Sequence, residues 1–201
     1  MKRFITLSLL ACISLFTSKT WACADGLGYH EGNFFDVYSH DYDFVSGERL
    51  ARFWAQYTGD RPPLSKDWSE GYRNAWDYYF ENNCARLFTA AKKKHDEEML
   101  LYLRQTIKYN KICDDMQNRW DYPSAEELAQ RRKTLLGIQR AAKAYRGERL
   151  KAQFSLLYMR TNLVLKDYRA NQDFWVLTAS KLPESVFKDM MHSLYANAIL
   201  N

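Results

Sequence analysis

An apolar stripe with helical spacing is the feature that most limits the fold. Over residues 68–91, large apolar side chains recur three and four positions apart: Trp68, Tyr72, Ala75, Trp76, Tyr79, Phe80, Cys84, Leu87, Phe88 and Ala91. Side chains at this spacing share one side of an α-helix, so the stripe predicts a long helix with one buried face. From residue 46 onward, no convincing run alternates with the period of two that a half-buried strand requires. The chain is therefore predicted to be all-α.

Turn and capping residues place the helix boundaries. The first helix is predicted to begin after Ser46 and to end at Gly59, and a break over 93–96 separates the second helix from the third. Ser124 and Glu127 have the spacing of a capping box, which predicts the start of a fourth helix. Further helices follow over 150–168, 174–180 and 184–200. This gives five to seven helices in antiparallel pairs, arranged as a solenoid or as an irregular bundle.

Three pairs of short segments share a pattern that suggests a helix-pair repeat. Ala-Ala-Lys or Ala-Ser-Lys precedes a block with Leu-Tyr at its centre, at 90–92 with 100–104, 141–143 with 156–160, and 179–181 with 193–197. Together with residues 181–185, these segments resemble the tetratricopeptide-like α-helical repeat proteins that Gram-negative bacteria export. The resemblance covers about residues 85–201. It implies a scaffold or binding role and no catalytic residues.

The chain opens with the pattern of a cleavable signal peptide. Lys2 and Arg3 precede an apolar run over 4–16, and small residues follow at Ala22 and Ala24. The run is shorter than the ~20 residues of a membrane span. Cleavage after 22 or 24 is expected.

The signal peptide predicts a periplasmic or secreted protein. A lipid anchor on Cys23 is the less favoured alternative. The expected organisation is a signal peptide over 1–22, an irregular acidic and aromatic segment over 23–45 and an α-helical domain over 46–201. No later run is long and apolar enough to predict a transmembrane segment in the mature chain.

Charge is distributed unevenly along the chain. Residues 23–60 carry seven acids and two bases, whereas residues 131–170 carry two acids and eleven bases. Loss of three bases with the signal peptide lowers the formal net charge from +5 to +2, so no nucleic-acid partner is predicted. Two interpretations remain for the basic block: it packs against the acidic segment of the same molecule, or it binds an anionic component of the cell envelope.

Helical projection defines one basic face in this block. Lys133, Arg140 and Lys143 fall within ~100° of one another and are predicted to face solvent as a binding surface for an anionic partner. The core contacts of the same helix are expected from Leu128, Leu135, Ile138 and Ala142.

Two cysteines, Cys84 and Cys113, remain after cleavage at 24, and an oxidising compartment favours a disulfide between them. A hairpin turning near residue 95 would leave Cys113 ~10 Å beyond the residue opposite Cys84, whereas a disulfide requires Cα atoms within ~7 Å. The bond is therefore predicted only together with a helix break or a turn nearer residue 98.

Candidate catalytic and metal-binding patterns are weak. Residues 29–44 hold two histidines, four carboxylates and six aromatics, but no fixed ligand spacing such as HExxH occurs, so no metal or cofactor is predicted. Ser185 and Lys188 match SxxK without the other motifs of penicillin-binding enzymes, and Ser185 is interpreted as a helix N-terminal residue. No catalytic residue is predicted.

The leading interpretation is a helical protein-interaction or scaffold module of the bacterial envelope that acts by binding. One alternative is an envelope glycan hydrolase with acids drawn from residues 31–43. Another is a lipid-binding or lipopolysaccharide-binding protein, favoured if the basic residues lie on one exposed face beside apolar surface.

Overall fold

The computed structural model describes residues 43–61, 75–117 and 122–201. Within these ranges the structure is helical and contains no strand, which confirms the all-α prediction. The helices are α1 (Asp43–Thr58), α2 (Ala75–Lys93), α3 (Glu97–Gln117), α4 (Ala125–Ala144), α5 (Lys151–Val164), α6 (Tyr168–Leu177) and α7 (Val186–Leu200), with a 3₁₀ turn (Ala179–Lys181) between the last two. None of them is long and apolar enough to cross a membrane. The predicted signal peptide lies outside the described residues, as does nearly all of the 23–45 segment.

Helix α5 is buried along most of its length. Every residue over 153–163 is buried, so this part of the helix has no solvent-facing side. It packs against α3, α4, α6 and α7. In a solenoid each repeat contacts only its neighbours, whereas a helix surrounded on all sides is the core of a bundle. The described helices therefore form an irregular bundle, the second of the two predicted arrangements.

Helices α1 and α7 meet, so the first and last described helices are in contact. The ring of Phe187 packs edge-to-face against Phe53 and Trp54, with ring centroids 4.9 and 6.0 Å apart. Arg49 pairs with Asp189 at 2.5 Å beside these rings. Aromatic pairs of this geometry contribute ~0.5–1.5 kcal/mol beyond the burial of their area, so they hold α7 against α1.

Two of the turns between helices are built alike. His95 and Lys166 have left-handed φ angles of 52° and 59°. The N–H of the following residue, Asp96 or Asp167, bonds to the carbonyl five residues earlier at 2.9 and 2.8 Å, which is the Schellman ending of a helix. Each aspartate then accepts from the amide three residues later and so caps the next helix. In each turn the backbone of the aspartate therefore ends one helix, and its side chain caps the start of the next.

The predicted boundaries at Gly59, over 93–96 and at Ser124 are confirmed. Gly59 follows α1 with a φ of 81°. The capping box of α4 is formed: Ser124 Oγ accepts from the Glu127 amide at 3.2 Å, and Glu127 Oε2 accepts from the Ser124 amide at 2.7 Å.

The prediction was wrong for the start of α1, which is Asp43, and for the helices over 150–168 and 174–180. A turn at 165–167 ends α5 at Val164, and α6 spans Tyr168–Leu177. Helix α7 begins later than predicted, because Pro183 precedes it and Ser185 is its N-cap.

Candidate interaction surface on helix α4

The predicted basic face lies on the solvent side of α4. Lys133, Arg140 and Lys143 are all exposed, and so is the neighbouring Arg132. The buried side of the same helix is formed by Leu135, Ile138 and Ala142, as predicted. The helical periodicity of the sequence thus separated the charged face from the core face. We call the exposed set Arg132, Lys133, Arg140 and Lys143 the α4 basic face.

The prediction was wrong for Leu128, which is 53% exposed. Helix α4 has 20 residues, whereas its antiparallel neighbour α5 has only 14. The first turns of α4 therefore extend beyond the end of α5, and Leu128 lacks a helix to pack against there.

No carboxylate among the described residues pairs with the α4 basic face. Arg140 Nε donates to the backbone carbonyl of Leu136 at 3.3 Å, and Lys143 Nζ lies 5.8 Å from the centre of the Tyr158 ring. These contacts orient the two side chains without neutralising them. The face therefore presents its positive charge to solvent.

Other bases in the same block have different surroundings. Lys151 pairs with Glu148 at 3.0 Å, and Arg169 pairs with Asp173 at 3.1 Å. Arg160 is only 3% exposed, and its guanidinium lies over the ring of Tyr109, 5.1 Å from the ring centre. The sequence alone could not separate these bases from the α4 basic face, because their surroundings come from the fold.

A hydrogen-bond network around Arg149 was missed by the sequence reasoning. Its guanidinium contacts both Asp96 oxygens, at 2.5 and 2.9 Å, and its Nε donates to Glu98 at 2.8 Å. The Tyr57 hydroxyl donates to Asp96 at 2.9 Å, and the Tyr145 hydroxyl donates to Glu98 at 2.5 Å. This Arg149 network connects the end of α1, the turn between α2 and α3, and the loop between α4 and α5.

The network shifts the acidity of its members. Burial alone would raise the pKa of Asp96, but hydrogen bonds from Arg149, Met99 and Tyr57 outweigh it and lower that pKa. Burial, together with the hydrogen bond to Asp96, raises the pKa of Tyr57, so its hydroxyl keeps its proton and donates it. The arrangement is that of a structural ion-pair network, since its groups already bind one another.

Gly147 fits closely into this network. A Cβ atom at this position would lie 2.3 Å from both Glu98 Oε1 and Tyr145 Oη, the two oxygens that share a hydrogen bond. The absence of a side chain at residue 147 therefore lets the loop between α4 and α5 approach α3.

A chain of amides crosses the buried interior next to α4. Gln139 Nε2 donates to Asn162 at 2.7 Å, Asn162 donates to Asn171 at 3.0 Å, and Asn171 donates to the carbonyl of Met159 at 3.0 Å. Asn162 and Asn171 are fully buried. Buried amides are tolerated only with such partners, so this chain fixes α4, α5 and α6 relative to one another.

The predicted disulfide is wrong: Cys84 and Cys113 are both free thiols. The turn between α2 and α3 lies at residues 94–96, not nearer to 98, so Cys113 stays ~10 Å beyond the position opposite Cys84. Left-handed φ angles at Asn83 and Cys84 distort α2 locally but do not bring the sulfurs together. Burial raises the pKa of Cys84 to about 12 and also raises that of Cys113, which makes both thiols poorly reactive.

The SxxK pair has a structural role, as predicted. Ser185 Oγ accepts from the Lys188 amide at 3.3 Å and caps α7, while Lys188 Nζ pairs with Glu184 at 2.6 Å. Within the described ranges no group of three or more potential ligands is placed to hold a metal ion. The histidines of the 29–44 segment lie outside those ranges.

A second feature missed by the sequence reasoning is an aromatic stack between α6 and α7. The indole of Trp175 lies nearly parallel to the rings of His192 and Tyr195, with centroids 4.8 and 5.5 Å away. His192 and Tyr195 stand three residues apart, so they share one side of α7. Their spacing could have indicated a common face, but not the partner from α6.

Comparison of the chain with protein-family models, with curated proteins and with solved structures found no match. The resemblance to exported tetratricopeptide-like proteins therefore stays a prediction.

Proposed function

We propose that this protein is an exported binding module of the bacterial envelope and that the α4 basic face is its surface for an anionic envelope component. The observation that supports the proposal is the exposure of Lys133, Arg140 and Lys143 on one side of α4, with no carboxylate partner among the described residues. Arg149, Lys151 and Arg169 of the same block are paired with carboxylates, and Arg160 is buried. An unneutralised cluster of bases attracts anions in proportion to its local charge.

The expected strength follows from the number of bases. Each Lys or Arg near an anionic surface contributes ~1 kcal/mol at physiological ionic strength, so three of them change affinity by roughly two orders of magnitude. Salt screens such contacts over a Debye length of ~8 Å at 0.15 M, so the association is expected to weaken as salt is raised.

Charge reversal tests the proposal. The variant Lys133→Glu, Arg140→Glu, Lys143→Glu should keep its melting temperature, because exposed bases contribute little to stability. It should lose the salt-sensitive binding of the wild-type protein to isolated envelope fractions, measured by co-sedimentation at low salt.

A matched control lies on the neighbouring helix. Arg104, Lys108 and Lys111 of α3 are also exposed and are spaced by four and three residues, so their reversal changes net charge equally. This control variant should still bind envelope, because α3 carries four acids against three bases, whereas α4 carries two acids against five bases. Unchanged binding by the α4 variant, or an equal loss in both variants, would contradict a specific role for the α4 basic face.

A further inference from the structure

An exposed leucine lies in the middle of the α4 basic face. Leu136 is 36% exposed. At 3.6 residues per turn, all four bases of the face fall within about 60° of Leu136 on a helical projection, two before it and two after it. No acidic residue occurs in α4 after Glu127. The face is therefore an apolar side chain surrounded by cations.

A second exposed leucine lies near this face, about 80° from Leu136 around the helix and toward the core side. Leu128, which is 53% exposed, lies two turns before Leu136 on the same helix. Single exposed leucines are common on protein surfaces and carry little information by themselves. The combination with four unneutralised bases is more specific, because a soluble anion would satisfy the cations and leave Leu136 in water.

We infer that the anionic component is a phospholipid surface; this inference rests on the proposed function of the α4 basic face. Headgroup phosphates would contact the exposed bases, since long basic side chains can lay their stems along apolar surface and keep the charged end in the headgroup region. Leu136 would enter the boundary between headgroups and acyl chains, where basic, apolar helix faces bind. α4 would then lie along the surface with its opposite side still packed on the bundle.

Vesicle binding tests this assignment. Wild-type protein should co-sediment with vesicles containing anionic phosphatidylglycerol and not with vesicles of neutral phosphatidylcholine alone. Leu136→Ser should weaken binding to the anionic vesicles about fivefold, since part of a leucine side chain no longer leaves water. The matched control is Leu101→Ser on α3, which replaces a leucine that is 44% exposed and also lies beside exposed bases. This control should bind as wild type does, because the acids of α3 outnumber its bases by four to three. Helical circular dichroism of each variant verifies folding.

The outcomes separate this inference from the proposed function. If the wild-type protein ignores anionic vesicles, or if Leu136→Ser binds them as tightly as Leu101→Ser does, the lipid assignment is overturned. The α4 charge reversal would in that case still decide whether the face binds envelope at all. Equal binding of the wild-type protein and Leu136→Ser to soluble polyglutamate, combined with unequal binding to anionic vesicles, would support contact of Leu136 with lipid.

Discussion

Asp96 connects three parts of the bundle, and its replacement tests whether these contacts hold the helix ends together. Its carboxylate accepts from the Met99 amide in α3 and from the Tyr57 hydroxyl at the end of α1, both at 2.9 Å. It also binds the Arg149 guanidinium from the loop between α4 and α5. The Asp96 side chain is only 14% exposed, so water is poorly placed to replace these partners. Asp96→Ala removes all of the contacts, whereas Asp96→Asn retains an acceptor for Met99 and loses the charge.

The contacts give an expected magnitude for each variant. Loss of a helix N-cap costs ~1 kcal/mol, a hydrogen bond to a charged group contributes ~1.5 kcal/mol, and an ion pair with a partly exposed arginine contributes ~0.5 kcal/mol. Asp96→Ala is therefore expected to lower the free energy of unfolding by about 3 kcal/mol. This value is a simple sum, and contacts that share one carboxylate are not strictly additive. Asp96→Asn should lower it by about half as much, because the cap is kept.

Urea denaturation followed by circular dichroism at pH 7 measures both values. The reasoning is refuted if Asp96→Ala loses less than about 1 kcal/mol, since the cap alone should contribute that much. It is also refuted if the alanine and asparagine variants are equally unstable, because the amide would then not replace the carboxylate as a cap.

The same carboxylate predicts a dependence of stability on pH. Because the pKa of Asp96 is lower in the folded protein than in the unfolded chain, its ionised form stabilises the fold above the unfolded pKa of ~3.9. That stabilisation is lost as pH falls through the lower, folded pKa. The difference in unfolding free energy between the wild-type protein and Asp96→Asn should therefore be constant near neutral pH and shrink below about pH 4. A difference that grows on acidification would show that the sign of the pKa shift is wrong.

Three further experiments test the surroundings of two glycines and of the two cysteines. Gly137→Ala should raise the free energy of unfolding by ~0.5–1 kcal/mol, because nothing lies within 4 Å of the added Cβ and alanine favours the helix; a lower melting temperature would contradict this. Gly147→Ala should lower it by ~1–2 kcal/mol, because the added Cβ would displace two hydrogen-bonded oxygens of the Arg149 network; unchanged urea denaturation would contradict the close fit. Cys84 and Cys113 should both be alkylated in unreduced, urea-denatured protein, whereas Cys84 should resist alkylation in the native state, as measured by mass spectrometry; a disulfide in the unreduced protein would refute the free-thiol geometry.

Helical periodicity predicted the fold well where a helix has one buried side. In α4, the spacing of Leu135, Ile138 and Ala142 was sufficient to identify the core face. It was not sufficient for α5, where polar residues such as Asn162 are buried together with apolar ones. The partners that make this burial tolerable are Gln139 and Asn171, which belong to two other helices. Hydrophobic pattern alone cannot show which polar side chains will meet in three dimensions.

The candidate site was likewise predicted only in part from the sequence. Charge counts identified the basic block, and the periodicity of α4 showed which of its bases share a face. Nothing in the local sequence distinguishes Arg149 from Lys143, yet the first is paired and the second is not. The difference arises from Asp96, which is 53 residues away in the chain and reaches Arg149 only because both lie in turns at the same end of the bundle. Neutralisation of a surface base is thus a property of topology.

The ion pairs at the helix ends and the exposed bases of the α4 basic face should have separable effects on stability and on binding. Asp96 and Arg149 bind each other at the helix ends, and neither belongs to the α4 basic face. Lys133, Arg140 and Lys143 carry exposed charge and make no ion pair with the described residues. Asp96→Asn should therefore lower the melting temperature and leave envelope binding below that temperature unchanged. The triple reversal on α4 should leave the melting temperature unchanged and abolish envelope binding. If Asp96→Asn also weakens binding at a temperature where it is fully folded, then the network must influence the position of α4. The binding of the α4 basic face would then depend on the contacts at the helix ends. In that case, envelope binding by Asp96→Asn, measured at increasing temperature, would fall before the protein unfolds.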